Sequence, residues 1–213
     1  VARARQGDVL FGIPVGTPEE YRNSAVSLGR APSQHYDKTH LVPFGEFPPP
    51  FLSGFMRLLD IPMAGFSPGA SDQPPLQLAG QRILMSICYE DLFARDWLSR
   101  VPESTLLVNI ANTAWFGRSL AQAQRLQISQ MRARETGRMM LLAANTGMTA
   151  AISPEGEIKA QLPPFAAAAL VTQAQGYVGI TPYVRLGDWP VWGFCLLILA
   201  GLWLYGAKRE TLS

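Results

Sequence analysis

Apolar residues along this chain come mostly in short runs separated by turn-forming residues. Gly7–Val15 (GDVLFGIPV) is an apolar run that reaches a proline near its end, and it predicts a buried strand. Ala25–Leu28, closed by Gly29, predicts a second, and Tyr36–Pro43 leads into a third element. Gln81–Ile87 predicts a strand that delivers Cys88, and Ser104–Ile110 (STLLVNI) predicts another, with Asn112 just beyond it. Leu120–Gly137 is the clearest helix. Ala121, Ile128 and Met131 lie near one face, Arg125, Arg132 and Arg134 lie elsewhere, and Gly137 stops it. Arg138–Ala144, Met148–Ile152 and Ala166–Gln173 predict further strands, with a turn at 153–157. Short apolar strands around an intervening helix predict an α/β sandwich of layered sheets and helices.

Two stretches break this pattern. Phe51–Leu59 (FLSGFMRLL) is apolar on most of its surface, and a long Pro/Gly-rich segment follows it. Irregular segments of that length are usually loops or lids, so this one is either a lid that touches lipid or an element packed on the sheet. From Trp189 to Gly206 the chain reads WPVWGFCLLILAGLWLYG without a charge. As a helix it would rise about 27 Å, close to the roughly 30 Å of bilayer hydrocarbon. Trp189, Trp192, Trp203 and Tyr205 stand towards its ends, as interfacial aromatics do. The reading is one transmembrane helix at 188–207 after a domain at 1–187, with a short tail at 208–213. Lys208 and Arg209 put that tail on the cytoplasmic side and the domain on the outer face.

The composition agrees: 48% of the 213 residues are hydrophobic and only 16% charged. A formal net charge of +2 gives no basic field for nucleic acid. Cys88 and Cys195 provide no zinc-ligand spacing, and no metal or cofactor is expected. The N-terminus has neither an initiator Met nor an apolar signal region, so the expectation is the C-terminal part of a longer protein.

Cys88 is the first candidate for chemistry. A strand-to-turn junction exposes a side chain at a sheet edge and aims the next backbone N–H at any oxyanion formed there. A thiol also needs a base or a positive neighbour to become a good nucleophile. On its own, a cysteine after an apolar strand reads first as an inert core residue. Lys38 changes this if the fold brings it close, because an ammonium stabilises both a thiolate and an oxyanion. Glu46 follows eight positions later and is placed to pair with it. Otherwise Lys38 is a solvated charge and His40 a satisfied loop histidine.

The run Tyr36-Asp37-Lys38-Thr39-His40-Leu41-Val42-Pro43-Phe44-Gly45-Glu46, with Ile87-Cys88-Tyr89-Glu90 fifty positions after the lysine, resembles the nitrilase superfamily. More narrowly it resembles the membrane branch, the apolipoprotein N-acyltransferases. Matching pieces include Asn112-Thr113-Ala114-Trp115-Phe116-Gly117, the helix through Gln130–Glu135, Ala144-Asn145-Thr146-Gly147, and Thr181–Asp188 before the apolar span.

The resemblance implies a nitrilase-like αββα sandwich, incomplete at its N-terminus, followed by the membrane helix. It implies that Cys88 attacks a phospholipid acyl ester and carries the acyl group as a thioester. Lys38 and the backbone N–H of Tyr89 would stabilise the tetrahedral intermediates, Glu46 would orient Lys38, and Glu90 would support the site. Trp115 and Phe116 would line the substrate pocket, core packing being the other reading. The acceptor would be the α-amino group of a lipoprotein's diacylglyceryl-cysteine, at the outer face of a bacterial inner membrane.

One element of the pattern has no counterpart. The family's general-base glutamate lies upstream in a W-P-E context, whereas here Glu19 and Glu20 follow the first strand in a surface loop. Two rivals remain open: a soluble nitrilase-type amidase acting on a small C–N bond, and an inactive membrane-anchored remnant.

Overall fold

The computed structural model describes residue 4 and residues 6–17, 20–47 and 65–210, with side chains to residue 205 in the last helix. The segment read as a lid, Phe51–Leu59, lies outside the described residues.

Among the described residues nine strands form two sheets. Strands β1 (Asp8–Gly16), β2 (Tyr21–Gly29) and β3 (Gln34–Asp37) make an antiparallel sheet in the order β1-β2-β3. Strands β4 (Leu76–Leu78), β5 (Gln81–Ile87), β6 (Leu106–Ala111), β7 (Met140–Ala144), β8 (Thr149–Ile152) and β9 (Ile158–Leu162) make the second, in sequence order. Its central pairs, β5–β6 and β6–β7, are parallel, and the flanking pairs are antiparallel.

Side-chain alternation along β5 explains the layering. Ile83, Met85 and Ile87 face the small sheet, where they pack with Ala25, Tyr36, Leu106 and Val108. Leu84 faces the other way, into a core with Leu107, Met140, Leu142 and the helical residues Trp97, Leu126, Ala133 and Val184. Those come from helices α1 (Ala94–Leu98), α2 (Ala121–Thr136) and α3 (Pro182–Leu186). Among the described residues the order of layers is therefore helices, six-stranded sheet, three-stranded sheet. Several contacts fix the sheets against each other, among them a pair of hydrogen bonds between Gln34 on β3 and Gln77 on β4. A Cβ at Gly12 would meet Ile110 Cδ1 at 3.1 Å, so the sheets approach closely there. The Asp8 carboxylate accepts from Ala31 N at 2.8 Å and Ala79 N at 3.0 Å, bridging β1 to the β4–β5 turn.

Several boundaries differ from the sequence reading. The strand expected at Ala25–Leu28 runs from Tyr21 to Gly29, because nine cross-strand partners on β1 extend it. The element expected from Tyr36 ends at Asp37, and the chain then turns to present Lys38. No strand forms at Ala166–Gln173, where Val171 is 92% exposed and the alanines offer little to bury. The strand in that region is β9, and β4 was not anticipated. Gly137 ends α2 as expected, in the left-handed conformation with φ 63°.

The face of α2 was misread. Met131 is exposed and Arg125 is buried, together with Gln122, Leu126, Ser129 and Ala133. Helix α4 (Trp189–Glu210) is 22 residues long, about 33 Å at the usual helical rise. Its described side chains, at 189–205, are all exposed. Among the described residues no helix is long and apolar enough to cross a membrane.

Candidate active site

Cys88 sits where β5 gives way to a short 3-10 turn, Cys88–Leu92. Its φ is 56°, the left-handed region, which costs a non-glycine residue on the order of 1–3 kcal/mol and must be held by its surroundings. This sharp turn lifts the side chain off the sheet edge, leaving the free thiol half-buried.

Lys38 is brought to the same place from β3. It is 1% exposed, and its Nζ donates to Glu46 Oε2 at 2.7 Å. Glu46 is held in turn by Asn23 Nδ2 and by the backbone N–H of Val42, each at 2.7 Å. The ammonium lies 5.2 Å from the centre of the Tyr89 ring, against the residue that follows Cys88. The main chain at Lys38 is anchored as well: its N–H donates to Asn23 O and its carbonyl accepts from Gly69 N, both at 2.8 Å. This lysine is thus a buried, fixed cation beside the thiol turn.

Glu90 ties the two halves together. Its carboxylate, 2% exposed, accepts from the N–H groups of Ile87 and Thr39 at 2.7 Å and of His40 at 3.1 Å. It also accepts from Thr39 Oγ1 at 2.8 Å and the Tyr36 hydroxyl at 3.1 Å. One side chain therefore pins the lysine loop to the cysteine turn. Burial, and then the Glu90 charge, push the Tyr36 phenol well above its usual range. Tyr36 therefore stays a hydrogen-bond donor. Tyr89 donates to Leu41 O at 2.8 Å, and burial raises its phenol too. His40 stacks on Phe93 and contacts Asp96, so it is a satisfied loop histidine.

Behind Cys88 lies a polar cluster that sequence reasoning missed. The Cys88 carbonyl accepts from Asn109 Nδ2 and from the Arg125 guanidinium, both at 2.9 Å. Arg125 also donates to Asn109 Oδ1 at 3.0 Å and to Asp91 Oδ2 at 3.1 Å. Asn109 reaches Ser86 Oγ at 2.8 Å. Burial pushes the Asp91 carboxyl up to about 6, against the opposing pull of Arg125, Ser129 and Arg132. A signal was available: Ser86 and Asn109 are polar residues in apolar strands and are register partners. On α2, Gln122, Arg125 and Ser129 form a polar stripe at helical spacing.

The two asparagine motifs meet as well. Asn145 Oδ1 accepts from Thr113 N at 3.0 Å, and Asn145 Nδ2 donates to Asn112 Oδ1 at 2.8 Å. Between them the turn Ala114–Phe116 projects Trp115, 81% exposed, and Phe116, 46% exposed. Among the described residues neither aromatic packs into the core. Glu20 pairs with Arg22 at the surface, as expected of its loop. An open depression of about 550 Å³, lined by residues such as Met139, Lys159 and Tyr177, shares no residue with this site. Among the described residues no group of acidic, histidine or cysteine side chains is arranged to hold a metal ion.

The arrangement is suited to acyl transfer: a thiol on a strained turn, a backbone N–H after it, and a buried ammonium alongside. Comparison with known proteins points the same way. Residues 3–183 match the family model described as carbon-nitrogen hydrolase. The apolipoprotein N-acyltransferase of Nitrosomonas europaea is 48% identical over 217 residues, covering 99% of this chain and 44% of that protein. The one from Chromobacterium violaceum is 46% identical, covering 93% of this chain and 39% of that protein. The chain thus spans less than half the length of these relatives. Among solved structures, an amidase from Nesterenkonia sp. shares the fold with a TM-score of 0.57 at 19% identity, covering 76% of this chain and 59% of that one. On its sequence match and its fold, the chain belongs to the carbon-nitrogen hydrolase family.

Proposed function

We propose that this chain carries the acyl-transfer centre of a membrane-bound N-acyltransferase, with Cys88 as the nucleophile. The observation that carries the reading is the buried Lys38–Glu46 pair, held against the Cys88 turn by Glu90. The thiolate attacks the ester carbonyl of a phospholipid acyl chain, and the carbonyl electrons move to oxygen. Lys38 Nζ and the Tyr89 N–H stabilise that oxyanion, which collapses to expel the lysophospholipid alcohol and leave a Cys88 thioester. The α-amino group of a diacylglyceryl-cysteine then attacks the thioester, forming an amide and releasing the thiol.

This step needs a group to take the thiol proton. The nearby carboxylates are already engaged: Glu46 by Lys38, Asn23 and Val42, and Glu90 by four residues. The family resemblance would assign that role to a further glutamate. Exposed Trp115 and Phe116 would meet the acyl chain at the mouth of the site. The charge-free run 189–206, which extends past the part of α4 whose side chains are described, would anchor the centre in the bacterial inner membrane, with the site on the periplasmic side. Relatives named as apolipoprotein N-acyltransferases support this reading over a soluble amidase.

The test uses the native-length protein in detergent-solubilised membranes. It is given a phospholipid with a labelled acyl chain and a synthetic diacylglyceryl-cysteine peptide. Label should move to the peptide's amine, and acetylating that amine should stop the transfer. Hydrolysis of small amides with no label transfer would favour the amidase reading instead.

A further inference from the structure

The polar cluster behind Cys88 is costly as mere core. Asn109, Asp91, Ser129 and Ser86 are each fully buried, and Arg125 is nearly so. Buried ion pairs of this kind are often no better for stability than apolar residues of the same size, so their value lies elsewhere. Two of these side chains converge on one backbone atom, the Cys88 carbonyl oxygen, at 2.9 Å each. That carbonyl shares a peptide plane with the Tyr89 N–H. A peptide unit is planar and trans, so its C=O and N–H point in opposite directions. Gripping the carbonyl towards the helical layer therefore aims the Tyr89 N–H away from it, towards the side where Lys38 lies over the Tyr89 ring. A cationic donor on the carbonyl also polarises the peptide and makes its N–H a stronger donor.

We propose that Arg125 and Asn109 are positioning residues that set the direction and strength of the oxyanion-binding N–H of Tyr89 through the Cys88 carbonyl. Asp91 and Ser129 hold Arg125 in place from the far side: Asp91 Oδ2 accepts from Arg125 at 3.1 Å and from Ser129 Oγ at 3.4 Å. Neither Arg125 nor Asn109 touches substrate. The proposal rests on the acyl-transfer reading, but only on its oxyanion step and not on the identity of the donor.

The experiment compares two reactions of the same thiol in the native-length protein carrying Cys195→Ser. Acylation of Cys88 by a p-nitrophenyl ester passes through an oxyanion; alkylation by iodoacetamide does not. In Arg125→Lys the ratio of acylation to alkylation rates should fall at least tenfold, with alkylation changed less than threefold. With phospholipid donor, kcat should fall in step while KM stays within twofold. Asn109→Ser should shift the ratio the same way by a smaller factor. If Arg125→Lys fails to fold, the paired change Arg125→Gln with Asp91→Asn removes both charges together and keeps the test open. An unchanged ratio, or equal losses of both rates tracking a lower Tm, would overturn the proposal. A wild-type protein that takes the p-nitrophenyl acyl group but none from phospholipid would instead count against the donor assignment, leaving this inference standing.

Discussion

The front and the back of Cys88 are built differently. At the front, Lys38, Glu46 and Glu90 come from loops, and their contacts join distant parts of the chain: Glu90 binds Thr39, 51 positions away, and Tyr36, 54 away. At the back, Ser86, Asn109 and Arg125 stand on regular elements, two strands and a helix, locked by sheet register and core packing. In the proposed reading the front supplies charge to a reacting group and the back supplies orientation to a peptide bond. A catalytic cation can sit on a loop only if something as rigid as the Glu90 clamp fixes that loop.

Breaking the nucleophile should have the largest effect. Cys88→Ala should lower acyl transfer at least about a thousand-fold while leaving the circular dichroism spectrum and Tm near wild type. Next comes the front cation. Lys38→Met should cost roughly a hundred-fold in kcat, the scale of losing one oxyanion donor. It should also cost about 3 kcal/mol of stability in denaturant titration, since Glu46 is left buried without its partner. Glu90→Gln keeps the shape but weakens the acceptor for three backbone N–H groups. A loss of about 1–3 kcal/mol is expected, with faster proteolysis of the loop at Lys38.

At the back, pH is the sharper probe. The Asp91 carboxyl is raised from its ordinary 3.8 to about 6, so between those values the folded chain keeps a proton that the unfolded chain has lost. The resulting stability is full below pH 3.8 and is lost as pH rises through 6. Asp91→Asn should remove that slope from a Tm-versus-pH curve; an unaltered slope would place it elsewhere. The smallest structural effect is expected at Trp115. Trp115→Ser should leave Tm within about a degree, because the side chain is 81% exposed, while raising KM for long-chain donors.

The front of the site was legible from sequence because its residues lie in two compact motifs whose order and chemistry resemble a known family. Cys88 after an apolar strand and Glu46 eight positions from Lys38 needed only the fold to join them. The back was hidden by the usual rule that arginines point to solvent. Apolar periodicity groups Ala121, Ile128 and Met131 near one face of α2 and sets Arg125 apart, but the buried stripe holds Gln122, Arg125 and Ser129 because it packs on a polar site. Strands β4 and β9 were missed because each is a short edge strand, with too few residues to show an apolar alternation, paired to its sequence neighbour across a short turn. The strand expected at Ala166–Gln173 did not form because its run of alanines offers little to bury, and Val171 lies exposed.

The most direct test is to find the acyl group on the protein. The native-length protein is mixed with a phospholipid donor in the absence of acceptor, quenched in acid and digested, and its peptides are analysed by mass spectrometry. The expected result is one acyl chain on the peptide containing Cys88, removed by neutral hydroxylamine and missing in Cys88→Ala. Acyl transfer that continues in Cys88→Ala, or an acyl adduct on any other residue with Cys88 unmodified, would contradict it.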